Sequence, residues 1–265
     1  MNILKKHTLI LLSTFFGFGI AKAQNDTPTP DLVTDRPDAT ESPTVVPPGS
    51  LQVETGASLQ TYDDGVTENT LYNYNTALVR YGIWENLELR LGWNYEELRS
   101  KTAQTTTSTN LGFSPLLLGV KVAVVEERGW LPEIGLLGHL YLPFTAKEAL
   151  RPETTGTDFR FAFSHTLSNK SGLAYNIGAQ FFEDVPGAAY IYSISYGYSF
   201  TDRLGVYAEL YGDLPENFSA NHFWDAGVTY LVSPLIQLDA TVGQSITEGQ
   251  DLLLSAGVSF RIDKN

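Results

Sequence analysis

Apolar and polar residues alternate with unusual regularity between residues 77 and 97. Before a short turn, Ala77, Val79, Tyr81 and Ile83 alternate with Leu78, Arg80 and Gly82. After Trp84-Glu85-Asn86, Leu87, Leu89, Leu91, Trp93 and Tyr95 alternate with Glu88, Arg90, Gly92, Asn94 and Glu96. Successive side chains of a strand point to opposite faces, so this period of two predicts a long antiparallel hairpin with one apolar and one polar face. A second sheet covers such an apolar face in a soluble sandwich; lipid covers it in an outer-membrane barrel.

The rest of the chain favours lipid. Twelve strands are expected: about 50–61, the two arms of 77–97, then 113–125, 132–142, 157–167, 172–182, 188–200, 204–212, 222–232, 235–243 and 251–262. Tight connections at 84–86, 168–171, 201–203 and 233–234, and a slightly longer one at 126–131, alternate with longer ones at about 62–69, 97–112, 143–156, 183–187, 213–221 and 244–250. Short periplasmic turns and longer extracellular loops are the rule for up-and-down transmembrane barrels, and ~10 tilted residues cross a bilayer. Aromatics gather near strand ends: Tyr81, Trp84, Trp130, Tyr198, Phe200, Tyr230 and Phe260 near the short turns or the C-terminus, and Trp93, Tyr95, Phe159, Phe181, Tyr190 and Tyr192 near the longer loops. The expected fold is all-β, a single twelve-stranded antiparallel β-barrel over 49–265, with both termini on the periplasmic side.

Composition narrows the function. Lys5 and Lys6 precede a mostly apolar run from Thr8 to Ile20, and Ala21-Lys22-Ala23 fits a cleavage site, so 1–23 reads as a signal peptide. Its loss makes the mature chain more acidic than the formal charge of −13, which argues against a nucleic-acid partner. There is no cysteine, hence no disulfide or thiol chemistry. Mean hydropathy near zero suits a barrel that averages greasy and polar positions. Residues 24–48 hold six of the thirteen prolines and are expected to be irregular, either a periplasmic tail or a plug.

Within that segment stands Thr34-Asp35-Arg36-Pro37-Asp38-Ala39-Thr40-Glu41-Ser42-Pro43, followed by Val46-Pro47-Pro48-Gly49 and a strand beginning Leu51-Gln52-Val53-Glu54-Thr55-Gly56. Together with Leu78-Val79-Arg80-Tyr81-Gly82 and Leu87-Glu88-Leu89-Arg90, this resembles the outer-membrane transporters grouped with the MetA-pathway phenol-degradation proteins, in a form similar to Bacteroidetes-type members. The resemblance covers nearly all of the mature chain and implies an outer-membrane location and passive transport.

Candidate functional residues follow from the polar face. Glu54, Arg80, Glu88, Arg90, Lys121, Glu133, His139, Asp158, Arg160, Glu209, Asp225 and Asp239 are expected to line the lumen. They would either tune a water-filled pore or close it through salt bridges. The mixture of signs argues against strong ion selectivity. A plug would bring Asp35, Arg36, Asp38 and Glu41 to these charges. His7, His139, His165 and His222 are scattered, so no metal or other cofactor is expected. Ser164-His165 is a look-alike of a lipase pair, but neighbours on a strand face opposite ways, and no enzyme activity is expected. Thr102–Thr109 is expected to be a loop; Asp63-Asp64 and Glu126-Glu127 read as solvated turn charges. The expected partners are outer-membrane lipids of a Gram-negative bacterium, the barrel-assembly machinery during insertion and a small solute, hydrophobic and aromatic ones included. A channel for that solute and a non-conducting structural or surface-interaction barrel both stay open.

Overall fold

The computed structural model describes residues 31–102, 105–183, 185–247 and 249–264. The expected signal peptide and residues 24–30 lie outside the described residues. Thirteen strands form one sheet: β1 (Leu51–Asp63), β2 (Thr67–Trp84), β3 (Leu87–Thr102), β4 (Thr105–Phe113), β5 (Leu116–Val125), β6 (Glu133–Leu142), β7 (Gly156–Ser168), β8 (Ser171–Phe182), β9 (Val185–Ser199), β10 (Leu204–Pro215), β11 (Asn221–Ser233), β12 (Ile236–Ser245) and β13 (Gln250–Ile262). Each pairs antiparallel with its chain neighbour except β4, which pairs with β3 alone; β5 takes over beside the lower part of β3. β1 pairs with β13, Leu51 opposite Ile262, which closes the ring. Because β4 and β5 share one position in the wall, the barrel has twelve strands.

Several sequence expectations change. Residues 97–112 are not a long loop: β3 runs on to Thr102 and β4 brings the chain back, Glu97 opposite Leu111 and Arg99 opposite Thr109. The threonines of 102–109 are β-branched and suit extended pairing, which a polar low-complexity reading overlooks. The wall strand breaks instead at Ser114-Pro115, where proline has no N–H for the ladder. The break is stitched by Ser114 N–H to Asn94 O (3.0 Å), Trp93 Nε1–H to Ser114 O (2.8 Å) and Leu116 N–H to Thr145 Oγ1 (2.8 Å). The 62–69 connection likewise shrinks to residues 64–66, and 183–187 to 183–184, so the contrast between the two ends lies partly in longer hairpins. Asp64 is a turn builder: its carboxylate accepts the Thr67 and Val66 N–H groups, which hold it below its ordinary pKa. Glu127 accepts from the N–H and hydroxyl of Thr166 near the end of β7.

The burial pattern is inverted relative to a soluble protein. Leu89, Leu91, Leu118, Val120, Phe161, Ile194 and Leu238 are exposed, each more than a third, whereas Arg80, Lys121, Glu54 and Glu88 are among the largest fully buried side chains. The apolar face of the 77–97 hairpin is therefore an outer surface that lipid covers, and the polar face points inward. Where the hairpins rise, Trp93 stacks on Phe113 (4.3 Å), Phe113 meets Tyr95 (5.1 Å), and Tyr74 stacks on Tyr72 (6.0 Å). These rings form part of an aromatic girdle at that end of the wall.

The barrel lumen as candidate functional site

Charged residues inside a wall without bulk water need partners, because an unpaired buried charge is costly. Residues 31–48 supply many of them. The segment enters beside β13, where Asp31 O accepts from Arg261 Nη1 (3.1 Å), and beside β1 and β2, where Val33 O accepts from Gln52 and Arg80. It crosses the lumen to β9 and β10, where Ala39 and Thr40 meet Glu209 and Ser193. It returns past β8, β6 and β3 through contacts of Glu41 with Asn176, Thr44 with Glu133 and Val46 with Glu88. Beyond these, Pro48 bridges to Gly82 and the chain enters β1.

Asp35 is the centre of this loop. Its carboxylate accepts from Lys121 Nζ (2.9 and 2.8 Å) and Arg90 Nη1 (2.7 Å), lies 3.1 Å from Arg80 Nη1, and accepts from the Ser42 N–H of the returning segment (2.9 Å). Arg80 is also bidentate on Glu88 (2.9 and 2.9 Å) and bound to Glu54 (2.9 Å); Arg90 reaches Glu41 (2.8 Å). Four carboxylates thus neutralise three cations in one network. Arg36 makes a separate pair with Asp239 (2.9 Å) and also donates to Thr76 and Ser255.

Glycines make room for the loop. Gly56 and Gly257 lie opposite each other on β1 and β13. A Cβ built on either would sit 2.6 or 2.4 Å from Arg36 Nη2. At Gly82 a Cβ would lie 2.2 Å from the Val46 and Pro47 carbonyl oxygens, so only glycine admits the returning backbone there.

The remaining expected lumen residues divide. His139 Nδ1 lies 3.0 Å from Asp158, which also accepts from Tyr141 OH (2.8 Å). Arg160 donates to Ala39 O and stands 3.8 Å from Asp158. Glu133 accepts from Thr44 and Ser164. Glu209 and Asp225 are almost fully buried, yet neither has a basic partner among the described residues. Ser164 and His165 do not converge: the first binds Glu133, and the second stacks on Tyr175 (6.0 Å). Among the described residues no group of histidines and carboxylates could hold a metal ion. Asn176, Ser193, Gln52, Gln237 and the glycine slot were not singled out from sequence. Small or polar residues on the inward face of strands are the only local sign of them.

Comparison with known proteins places this architecture. No curated protein sequence matches the chain. The fold is similar to the crystal structure of the COG4313 outer membrane channel from Pseudomonas putida F1, with a TM-score of 0.64 at 12% identity, over 83% of this chain and 97% of that one. It is also similar to the KdgM porin in complex with disordered oligogalacturonate, with a TM-score of 0.52 at 11% identity, over 80% and 99% of the two chains. These likenesses show the fold, a closed antiparallel β-barrel. The family model described as "Putative MetA-pathway of phenol degradation" matches residues 34–262, from the first residue of the lumen motif to the last of β13, and the chain belongs to that family.

Proposed function

We propose that the protein is an outer-membrane channel for passive diffusion of a small hydrophobic or aromatic solute, with residues 31–48 as a plug that restricts the lumen. The observation that carries this reading is the way the segment is held. Within the lumen it contributes no strand to the wall, and side-chain ion pairs and hydrogen bonds bind it across the barrel. The hydrogen bonds among them can be exchanged for water without opening the barrel, while the ion pairs anchor one edge of the segment. The similar Pseudomonas putida structure is described as a channel, and the family description names phenol degradation, which together point to aromatic solutes. The short-turn end faces the periplasm in this reading, with export by the signal peptide, insertion by the barrel-assembly machinery and lipid around the wall.

Swelling of liposomes containing the mature protein, with a panel of sugars, acids and aromatics, tests it. Aromatic or other apolar solutes are expected to enter fastest, and a variant lacking 31–45 is expected to admit all of them faster. No solute entry through either folded protein would overturn the channel. The density of the Asp35 network favours one second reading, a sealed structural barrel. It predicts normal solute uptake but altered envelope integrity in a knockout.

A further inference from the structure

The inward face of the wall is mainly polar, yet two leucines stand on it. Leu78 of β2 shares the inward side with Arg80, and Leu117 of β5 with Lys121, because alternate residues of a strand face one way. Both leucines are paired with Gly92 of β3, which lies between them. Two leucines flanking a residue without a side chain leave an apolar recess in the lumen wall. The recess forms one side of a cavity of about 320 Å³, whose lining also includes Pro115 and Tyr141, with Glu41 and Arg90 toward the lumen loop. A Cβ on Gly92 would lie 3.2 Å from that of Leu117, so a side chain there would take up the recess.

A second cavity, of about 720 Å³, lies at the long-loop mouth between Leu150, Pro152 and Phe182. Pro115 and Tyr141 belong to both walls, so the two spaces adjoin at that pair. The proline that breaks the wall strand thus stands where they meet. The mouth is a built surface. The connection after β6 is folded back onto the wall, with Thr145 Oγ1 accepting from the Leu116 N–H (2.8 Å) and the Lys147 N–H donating to Phe113 O (2.9 Å). Its far end is tied down by Glu183, whose carboxylate accepts from the Glu153 and Thr154 N–H groups. Tyr141 is fixed by its hydroxyl on Asp158 (2.8 Å) and meets the Phe182 ring edge-on at 5.1 Å. Phe182 in turn needs Gly156, where a Cβ would lie 2.5 Å from the ring.

The charged groups lining the inner cavity are two of each sign, and each has its partner: Arg36 with Asp239 (2.9 Å), Arg90 with Asp35 (2.7 Å) and Glu41 (2.8 Å), and Glu54 with Arg80 (2.9 Å). A solute that brings its own charge finds no free counter-charge there, and a buried charge without one is costly. Asn94, the next inward residue of β3 after Gly92, is different. It lines the same cavity, and its carboxamide makes no hydrogen bond among the described residues. An amide both donates and accepts, as a hydroxyl does. We infer that this recess is a binding site for an uncharged single-ring solute bearing a hydroxyl group, entered from the long-loop mouth past Tyr141, with the ring on Leu78 and Leu117 and the hydroxyl on Asn94. A cavity of this size suits a small ligand with an apolar body and few polar contacts. The inference rests on the channel reading and gives its solute a place, a direction of entry and a charge class.

Fluorine NMR titrations of para-fluorophenol, para-fluorobenzoate and para-fluorobenzylammonium test it, each with refolded mature protein in detergent and with micelles alone. The phenol is expected to show saturable, protein-dependent line broadening, and the two ions to bind at least roughly tenfold more weakly. Asn94→Ala is expected to weaken phenol binding roughly fivefold, as the loss of one hydrogen bond does. Gly92→Val, which fills the recess, is expected to abolish it; if that variant fails to fold, Asn94→Ala decides. No saturable phenol binding, an ion bound as tightly as the phenol, or phenol binding untouched by these variants would overturn the inference. Liposome entry of the phenol without such binding would overturn it and leave the channel standing. Binding at these residues without entry would overturn the channel and leave the site.

Discussion

Asp35 and Asp38 stand three residues apart on one segment and meet opposite surroundings. Asp35 faces β2, β3 and β5, where Arg80, Arg90 and Lys121 converge on it at 2.7–3.1 Å. Asp38 faces Ser195 of β9 and the Glu209 carboxyl of β10, and forms no ion pair among the described residues. The same residue type is a fastener on one side and a repulsive element on the other. On the channel reading proposed above, this difference lets the segment be both held and releasable. One edge is fixed by charges that are costly to separate, while the other is closed by hydrogen bonds that water can replace.

Breaking the fastened side carries the largest cost. Asp35→Asn leaves three buried cations short of their central anion and is expected to cost about 3–5 kcal/mol in urea unfolding of the folded barrel. A cost below about 1 kcal/mol would mean that water already screens the cluster. Next comes Gly82→Ala, which drives a methyl group into the Val46 and Pro47 carbonyls. It is expected to cost about 1–3 kcal/mol by overpacking and to raise conductance by unseating the return path of the loop. The acidic side is expected to respond least and in the other direction. Asp38→Asn removes a like charge and is expected to stabilise by about 1 kcal/mol, read by the same unfolding assay. If Asp38→Asn proved as damaging as Asp35→Asn, the two sides would not differ as described.

Much of the wall was legible before any coordinates. Alternation such as Leu87-Glu88-Leu89-Arg90 assigns faces directly, because side-chain direction in a strand is a local property. That rule accounts for the burial of ten of the twelve expected lumen residues, with Glu133 and Arg160 half-buried. Their partners do not follow from it, because pairing across the lumen joins residues far apart in sequence, as Arg36 and Asp239 are. Only ring closure and the path of the loop bring these together. The mixed signs of the polar face therefore gave no hint that Arg80, Arg90 and Lys121 stand together on β2, β3 and β5. The Ser114-Pro115 break was missed for a different reason. The threonines before it read as loop by composition, yet they pair with β3 to build the hairpin above the break.

The central claim is that residues 31–48 sit across the lumen and limit passage through it. The chain has no cysteine, so an engineered pair would report without background. Thr40 and Ser193 touch through their hydroxyls at 2.7 Å, which makes Thr40→Cys and Ser193→Cys the pair to cross-link. Conductance of this double variant is to be measured oxidised and then reduced, with the cross-link verified by mass. The account predicts that the disulfide forms readily, that conductance is lowest while it is closed, and that reduction restores it. Failure of the pair to form in folded protein, or conductance indifferent to it, would contradict the account.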